Sequence, residues 1–297
     1  MKFWQAVSFM EPDQLVGVAQ AAEEAGFHGL LLADHLFFPA KLDSKYPYSE
    51  DGAPMFDGRT PFPDPWTTIA SMAAVTKRLH FATFVFILPL RHPIELAKSL
   101  GTLSLLSGGR VALGAGAGWI REEFDALGVD FHTRGKRMDE MVVAMRKLWS
   151  GEVVEHHGRF FDFAPLQMSP APGREVPIWF GGLSDVAMKR AARHDGWLSD
   201  FLTMEDAAGV RAKLDQWRAE YGRSDEPFSM VASLIDAVTP DDFRRAEEAG
   251  VTDVLTSSTA LLELHDKAGV PVPQAAEWCA WAVAQLLRAT LHETEDT

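Results

Sequence analysis

The sequence predicts an α/β protein, a (β/α)8 TIM barrel that spans residues 1–297 as a single domain. Short apolar runs alternate with longer segments of helical period along nearly the whole chain, which is typical of a parallel sheet covered by helices. Eight such units in roughly 250–300 residues match the size of this barrel. The chain also repeats one pattern, because AEEAGFHGLLL (22–32) and AEEAGVTDVLT (246–256) each combine the end of a helix, a glycine and a strand.

Helix boundaries agree with this division into units. TPDDF (239–243) has the residues of a helix start, and Gly26 and Gly250 stand where helices should end. A doubly wound open sheet is the alternative, but its phosphate fingerprint G-x-G-x-x-G fails in LGAGAGWI (113–120), where Trp119 stands at the third glycine position. The barrel is therefore preferred. Its predicted strands are residues 2–9, 29–34, 79–88, 110–116, 176–182, 196–200, 228–235 and 252–257.

Two segments are too long to be simple connections, residues 36–64 after the second strand and residues 117–175 after the fourth. Both follow the carboxyl ends of strands, where barrel enzymes place their active-site loops. Long loops of this kind are usually lids or binding loops. Near the C-terminus, residues 274–293 predict a helix that is apolar on more than one face. One face closes the barrel, and the surplus predicts a partner surface, most simply that of a homodimer.

Composition narrows the class of protein. The formal net charge of −14 argues against binding to nucleic acid or to an anionic membrane surface, because both bind basic patches on proteins. The single cysteine, Cys279, excludes an internal disulfide and a cysteine-based zinc cluster. The N-terminal apolar run is too short for a signal peptide, and WCAWAVAQLL is about half the length of a membrane span. We therefore expect a cytoplasmic protein whose ligand is a small molecule.

An acid and an imidazole, Asp34 and His35, end the second predicted strand. Polar residues at this position of a TIM barrel are typical of catalysis, which favours a histidine that exchanges a proton with a ligand. The alternative is a helix-capping aspartate beside a loop histidine. No H-E-x-x-H or G-x-S-x-G motif occurs, which argues against metal-dependent and serine hydrolases. His156 and His157 are expected at the surface of a hairpin, and no metal site is predicted.

Two glycine turns follow other predicted strands. GAGAG (114–118) is either a tight strand-to-helix turn or a place where the backbone approaches a flat or phosphorylated ligand. In WFGGLSD (179–185) the glycines precede Ser184, which is either an ordinary helix N-cap or part of a phosphate site at a helix start.

Four segments of the chain match a known family in wording and spacing: EEAGFHGLLLADH (23–35), LPLRHPIELAKSLGTLSLLSGGRVALGAGAGW (88–119), EFDALGVDFHTRGKRMDE (123–140) and WFGGLSDVAMKRAARHDGW (179–197). Together they resemble the luciferase-like monooxygenase superfamily, (β/α)8 barrels that use a flavin or the deazaflavin coenzyme F420. The resemblance covers about residues 3–290, and the second and third segments are especially similar to the F420-dependent oxidoreductase branch.

The resemblance implies a role for each matching residue. Asp34 is expected against the hydroxyl-bearing ring of the deazaflavin, and His35 is expected to act as acid or base on the substrate. A non-proline cis peptide, expected at Phe84–Val85, supports the ring from behind. The loops after the fourth and fifth strands surround the phosphate-bearing side chain of the coenzyme. The implied cofactor residues are Asp34, Thr83, Phe84, Val85, Gly116, Ala117, Gly118, Gly181, Gly182, Leu183 and Ser184.

These roles predict an F420-dependent oxidoreductase, in which a hydride passes between the deazaflavin C5 and a small organic substrate. An FMN-dependent monooxygenase on the same barrel is the first alternative, and a non-catalytic coenzyme-binding protein is the second. The adjacent Glu122 and Glu123 are assigned no role. The anionic tail of F420 requires a local basic patch in so acidic a chain. The candidates for this patch are Arg91, His92, Arg134, Lys136 and Arg137.

Overall fold

The strands form one closed parallel sheet and one separate hairpin in the computed structural model, which describes residues 1–49, 51–237 and 239–256. The strands are β1 (Lys2–Ala6), β2 (Gly29–Leu32), β3 (His80–Thr83), β4 (Phe86–Ile87), β5 (Val111–Gly116), β6 (Val153–His157), β7 (Asp162–Gln167), β8 (Ile178–Gly181), β9 (Gly196–Leu202), β10 (Ser229–Leu234) and β11 (Asp253–Thr256). The sheet runs in the order β3-β2-β1-β11-β10-β9-β8-β5, and β3 also pairs with β5, which closes the ring. Because β4 also pairs with β5 and continues β3, these segments make an eight-stranded barrel.

The predicted (β/α)8 barrel is therefore confirmed, and the main differences lie in the first and third predicted strands. The first predicted strand, 2–9, ends at Ala6, and Phe9 has a φ of 68°, which no extended strand allows. The third, 79–88, is divided into β3 and β4 by the Phe84–Val85 peptide, which is cis as the resemblance implied. A run of apolar residues does not reveal such a break, because burial continues on both sides of it.

Helices connect successive barrel strands. Helix α1 ends at Gly26, as predicted, and this glycine adopts the left-handed conformation with a φ of 90°. At α8 Thr239 and Asp242 form the reciprocal hydrogen bonds of a capping box, which agrees with the predicted helix start. The helices are α1 (Leu15–Ala25), α2 (Pro65–Val75), α3 (Pro93–Ser107), α4 (Arg121–Ala126), α5 (Arg134–Leu148), α6 (Asp185–Ala191), α7 (Met204–Glu220) and α8 (Pro240–Glu248).

Two tryptophans fill the interior of the barrel, and two glycines make room for them. The rings of Trp4 and Trp179 meet edge to face with centroids 5.5 Å apart. A Cβ at Gly29 would lie 2.3 Å from the Trp4 ring, and one at Gly196 would lie 2.4 Å from that of Trp179. The barrel is thus packed with side chains, and a ligand has to bind at its end rather than along its axis.

The two predicted insertions differ in structure. Residues 36–49 and 51–64 contain no helix or strand, whereas residues 117–175 contain α4, α5 and the antiparallel hairpin β6–β7. The prediction for His156 was wrong, because the hairpin packs on α5 and buries this ring, with Nε2 3.4 Å from a carboxylate oxygen of Glu140. His157 is exposed, as expected.

The predicted C-terminal helix (274–293), Cys279 and the homodimer surface lie outside the described residues. Among the helices that are described, none has the length and apolarity to cross a membrane.

Candidate active site

A cavity of about 620 Å³ lies at the carboxyl ends of the barrel strands. Its wall includes Asp34 and His35 after β2, the Phe84–Val85 break, and the residues that follow β5 and β8. Another part of the wall comes from residues 45–48, 55, 56 and 62 of the first insertion. The cavity therefore brings together strand ends that are far apart in sequence, on the face that the position of Asp34 and His35 predicted.

His35 is held by Glu123, a residue of α4. The distance from Nδ1 of His35 to Oε2 of Glu123 is 3.0 Å, and Oε1 accepts a hydrogen bond of 2.8 Å from the N–H of Leu36. The side chain of Glu123 is fully buried, whereas 11% of the His35 side chain is exposed. A carboxylate at Nδ1 keeps the proton on that nitrogen, so Nε2 is the nitrogen that remains for exchange with a ligand.

Asp34 connects the end of β2 to the segment that follows the Phe84–Val85 peptide. Its Oδ1 lies 2.6 Å from Nη2 of Arg91, and its Oδ2 accepts a hydrogen bond of 2.9 Å from the N–H of Ile87. Burial raises the pKa of Asp34, and Arg91 opposes this effect. The ion pair is therefore what allows an ionised carboxylate in so buried a position.

Val85 packs between two glycines on neighbouring strands. A Cβ at Gly116 would lie 2.3 Å from Cγ2 of Val85, and a Cβ at Gly181 would lie 2.8 Å from Cγ1. Both glycines, together with Phe84 and Val85, line the cavity. The glycines are therefore required by the close approach of Val85, and the result is a stretch of wall without polar side chains.

The remaining glycine-turn residues also reach the cavity. Gly118 has a φ of 81° and Gly182 a φ of 118°, so both turns use the conformation that favours glycine. The hydroxyl of Ser184 accepts a hydrogen bond of 3.2 Å from the N–H of Ala187, which makes it the N-cap of α6, the simpler of its two interpretations. Ala117 lies with these residues in the wall.

Two implied cofactor residues lie away from the cavity. Thr83 is fully buried in the barrel wall, where its hydroxyl donates to the carbonyl of Gly114 at 2.7 Å. Leu183 is exposed at the surface and does not contribute to the lining. The resemblance implied Thr83 through its place beside the cis peptide and Leu183 through its place in the loop after a glycine turn. The side chain of Thr83 faces the other side of its strand from its neighbours, because the period of a strand alternates between faces. A direct role in ligand binding is therefore not supported for either one.

Of the five basic residues proposed to bind the anionic tail, one lines the cavity and four do not. Arg134 lines the cavity, and its guanidinium lies over the ring of Phe131 at 3.8 Å. Arg91 is paired with Asp34, His92 accepts a hydrogen bond at the start of α3, and Arg137 donates to the carbonyl of Pro89. Lys136 is exposed. Across the described part of the chain, no group of three or more His, Cys, Asp and Glu side chains is arranged to hold a metal ion.

Glu123 is a residue of this site to which the sequence assigned no role. Glu122 and Glu123 stand side by side at the start of α4, and both are acidic residues in a first helical turn, where such residues are common on helix surfaces. One signal was present, since α4 follows the glycine turn of a strand end. The phase of so short a helix, which turns Glu123 inward, depends on packing and is not readable from its sequence.

A sequence profile described as luciferase-like monooxygenase matches residues 4–282. The chain belongs to this family. The chain is 38% identical to an uncharacterized protein of Mycobacterium tuberculosis over 255 residues, which cover 86% of this chain and 88% of that protein. The F420-dependent hydroxymycolic acid dehydrogenase of the same organism is 32% identical over 242 residues, 80% of this chain and 62% of that protein.

Solved structures share the fold of the family. An F420-dependent secondary alcohol dehydrogenase in complex with an F420-acetone adduct superposes with a TM-score of 0.75 at 16% identity, over 97% of this chain and 98% of the other. The oxygenating constituent of 3,6-diketocamphane monooxygenase from a Pseudomonas putida plasmid, in complex with FMN, has a TM-score of 0.64 at 20% identity over 82% and 71% of the two chains. At these identities the likeness supports the barrel, and the coenzyme has to be argued from the site.

Proposed function

We propose that the protein is an F420-dependent oxidoreductase that acts on a small organic molecule. When bound, F420 donates a hydride from C5 in its reduced form and accepts one in its oxidised form. The His35–Glu123 pair carries the proposal, because a hydride that reduces a neutral C=O or C=C bond must be accompanied by one proton. The similarity to an F420-dependent dehydrogenase of the same family supports the choice of coenzyme.

The residues of the cavity fit a flat coenzyme with an anionic side chain. Val85, Gly116 and Gly181 form a wall without polar side chains, against which a planar ring system can pack. Arg134 brings positive charge to the same cavity, and its Nε is buried without a hydrogen-bond partner among the described residues. A phosphate or carboxylate oxygen in the cavity would form a charge-assisted hydrogen bond with this guanidinium.

His35 uses one ring nitrogen for orientation and the other for proton exchange. Because the carboxylate of Glu123 accepts a hydrogen bond from Nδ1–H, it is Nε2 that donates a proton when the substrate is reduced and accepts one when the substrate is oxidised. Glu123 also stabilises the imidazolium, since its buried carboxylate lies 3.0 Å from the ring. The chain thus supplies orientation, charge balance and the proton.

Asp34 has a supporting role in this proposal. Its bonds to Ile87 and Arg91 hold the segment after the Phe84–Val85 peptide against the end of β2. It also lines the cavity, so a contact with the coenzyme ring remains part of the proposal. In either role its carboxylate acts on the position of the ring and not on the proton of the substrate.

An FMN-dependent monooxygenase is the second candidate, favoured by the family and by the structural likeness to an FMN-bound enzyme. Absorbance titrations of the purified protein with F420 and with FMN separate the two, because deazaflavin has one long-wavelength band and flavin has two. We expect F420 to bind at least about tenfold more tightly than FMN, a difference of about 1.4 kcal/mol. Tight binding of FMN alone would contradict the proposed coenzyme.

Turnover requires a separate experiment. Reduced F420 is mixed with the protein and a panel of carbonyl and conjugated compounds, and its oxidation is followed at the deazaflavin band. We expect oxidation that depends on one or more of these compounds. Binding of F420 without turnover on any of them would instead support a non-catalytic coenzyme-binding protein.

A further inference from the structure

Aromatic rings surround His35 in the cavity, and the proton chemistry above does not use them. The ring centroids of Phe56 and Phe62 each lie 5.1 Å from that of the imidazole, and that of Trp119 lies 6.0 Å away. Phe9 contacts the first two, at 5.7 and 5.4 Å. We call Phe9, Phe56, Phe62 and Trp119 the aromatic cage.

The cage includes an unusual backbone conformation. Within the described residues, two non-glycine residues have a positive φ, Phe9 at 68° and Phe201 at 55°, and both line this cavity. A bulky side chain rarely adopts this region, and it persists where the surrounding structure holds it, which is often at a ligand site. Both strained phenylalanines therefore lie at the wall of the same ligand space.

The charges of the wall limit what the cage can bind. Among the described residues that line the cavity, the charged side chains are those of Asp34, Lys45 and Arg134. The carboxylate of Asp34 is already paired with Arg91, and no other carboxylate from the described part of the chain lines the space to balance a cation. An anion beside His35 would lie among aromatic rings, where burial of a charge is costly. A neutral ligand avoids both difficulties.

We propose that the aromatic cage binds the substrate, and that the substrate is an uncharged molecule with an apolar ring. Phe56 and Phe62 pack on this ring, and its reacting group lies at Nε2 of His35. Aromatic side chains supply large apolar contact area with preferred edge and offset geometries, which selects a ring of matching size. The inference rests on the proposed function, since it assigns the substrate class of the same site.

Three probes with one skeleton and three charges test the substrate class: 2-naphthalenemethanol, 2-naphthoate and (2-naphthylmethyl)trimethylammonium. Each is titrated calorimetrically into the protein, with and without saturating F420. We expect the neutral alcohol to bind at one site, and each ion to bind at least about tenfold more weakly. Tightest binding of the ammonium compound would indicate a cation–π cage and overturn the proposal. Tightest binding of the naphthoate, or binding of no probe, would also overturn it.

Variants of the cage test its location. Phe56→Ala and Phe62→Ala should each weaken binding of the neutral probe by about tenfold, because each removes one aromatic contact. Phe37→Ala is the matched control, since Phe37 belongs to the same loop, is 38% exposed and does not line the cavity. Thermal melting and F420 titration report the fold, and Phe56→Leu replaces Phe56→Ala if the latter does not fold. Cage variants that melt as the wild type does and bind the probe equally well would refute the cage.

The two proposals can fail separately, because probe binding needs no turnover. A protein that binds the neutral naphthyl probe through Phe56 and Phe62 but never oxidises reduced F420 would refute the proposed function. A protein that oxidises reduced F420 with charged substrates, and does not bind the neutral probe, would refute the substrate class alone.

Discussion

Glu123 and His35 form a hydrogen-bonded pair across 88 residues of sequence, with 3.0 Å between Oε2 and Nδ1. The second oxygen of the same carboxylate binds the N–H of Leu36. One buried side chain therefore fixes both the orientation of the imidazole and the path of the chain that leaves it. Removal of this carboxylate should therefore affect both the orientation of the imidazole and the position of the chain at Leu36.

Glu123→Gln should lower kcat by about 10–100-fold and change KM much less, because an amide does not keep the proton on Nδ1 or balance the imidazolium. His35→Ala should cost about 10²–10⁴-fold and leave F420 affinity largely intact. Steady-state kinetics with reduced F420 measure both effects. Asp125→Asn on the same helix is the control, since Asp125 is exposed and pairs only with Arg121 in the contacts described. Wild-type turnover in both site variants would exclude the pair from the reaction.

Glu122→Ala should loosen the first insertion without a change in the His35 contact. Its carboxylate accepts hydrogen bonds from the N–H of Asp43 at 2.6 Å and from the N–H and hydroxyl of Ser44 at 3.0 and 2.7 Å. Lys41 and Lys45 flank these residues, so trypsin reports the opening of this segment directly. We expect cleavage there to be about tenfold faster than in the wild type. An unchanged rate, with Asp125→Asn for comparison, would show that these bonds do not restrain the loop.

Gly29→Ala should destabilise the barrel by about 1–3 kcal/mol, because the new methyl group overlaps Trp4 in a packed interior. A Cβ there would lie 2.3 Å from the Trp4 ring and 2.6 Å from the carbonyl oxygen of His80. Gly17→Ala is the matched control, since a Cβ at this exposed position of α1 meets nothing within 4 Å. The control should gain about 0.5–1 kcal/mol. Urea unfolding measures both, and equal midpoints would contradict the packing argument.

Acid should weaken the fold through partly buried neutral histidines. Burial lowers the pKa of His194 to about 4, with Arg146 adding to the effect, and burial together with His80 lowers the pKa of His28 to about 3. Between pH 6.5 and these values the unfolded chain binds a proton that the folded chain does not, so stability falls as the pH decreases through this window.

His194→Gln should therefore lose less stability between pH 7 and pH 5 than the wild type, by about 1–2 kcal/mol. Urea midpoints at the two pH values measure the difference. Carboxylates titrate in both proteins and cancel in the comparison. An equal loss in the variant would show that His194 is protonated in the folded protein at pH 5.

Arg134→Glu should weaken F420 binding by about tenfold or more at low salt, and by less as salt screens the charge. Arg137→Glu is the control, because Arg137 stacks on Phe161 and donates to Pro89, outside the cavity lining. Absorbance titration at two ionic strengths measures both variants. Equal affinities would place the anionic tail of the coenzyme elsewhere.

The barrel was predictable because it depends on repeated features. Apolar strands, glycine stops and the capping box at Thr239 each signal their element locally, and several agree with one another. The position of Asp34 and His35 at a strand end was enough to place them in the cavity wall. Such features survive any change in the details of packing.

Other parts depend on contacts between distant residues. Packing determines the inward orientation of Glu123, the burial of His156 under a hairpin and the interruption after Thr83. The same residue types also occur in exposed helices, surface hairpins and unbroken strands. The aromatic cage was hidden for the same reason, because Phe9 and Phe56 come from segments with no shared local pattern. Their proximity is a property of the closed barrel.

The first insertion is secured at its beginning. Leu36, Asp43 and Ser44 are the residues that bond to the glutamates of α4, whereas the cavity-lining aromatic residues of the insertion lie within 45–62. Residues 45–62, which contribute the aromatic contacts proposed for the substrate, can therefore be varied while residues 34–44 keep the imidazole in place. A library that randomises 45–62 and leaves α4 untouched is the direct way to retarget this barrel to new compounds.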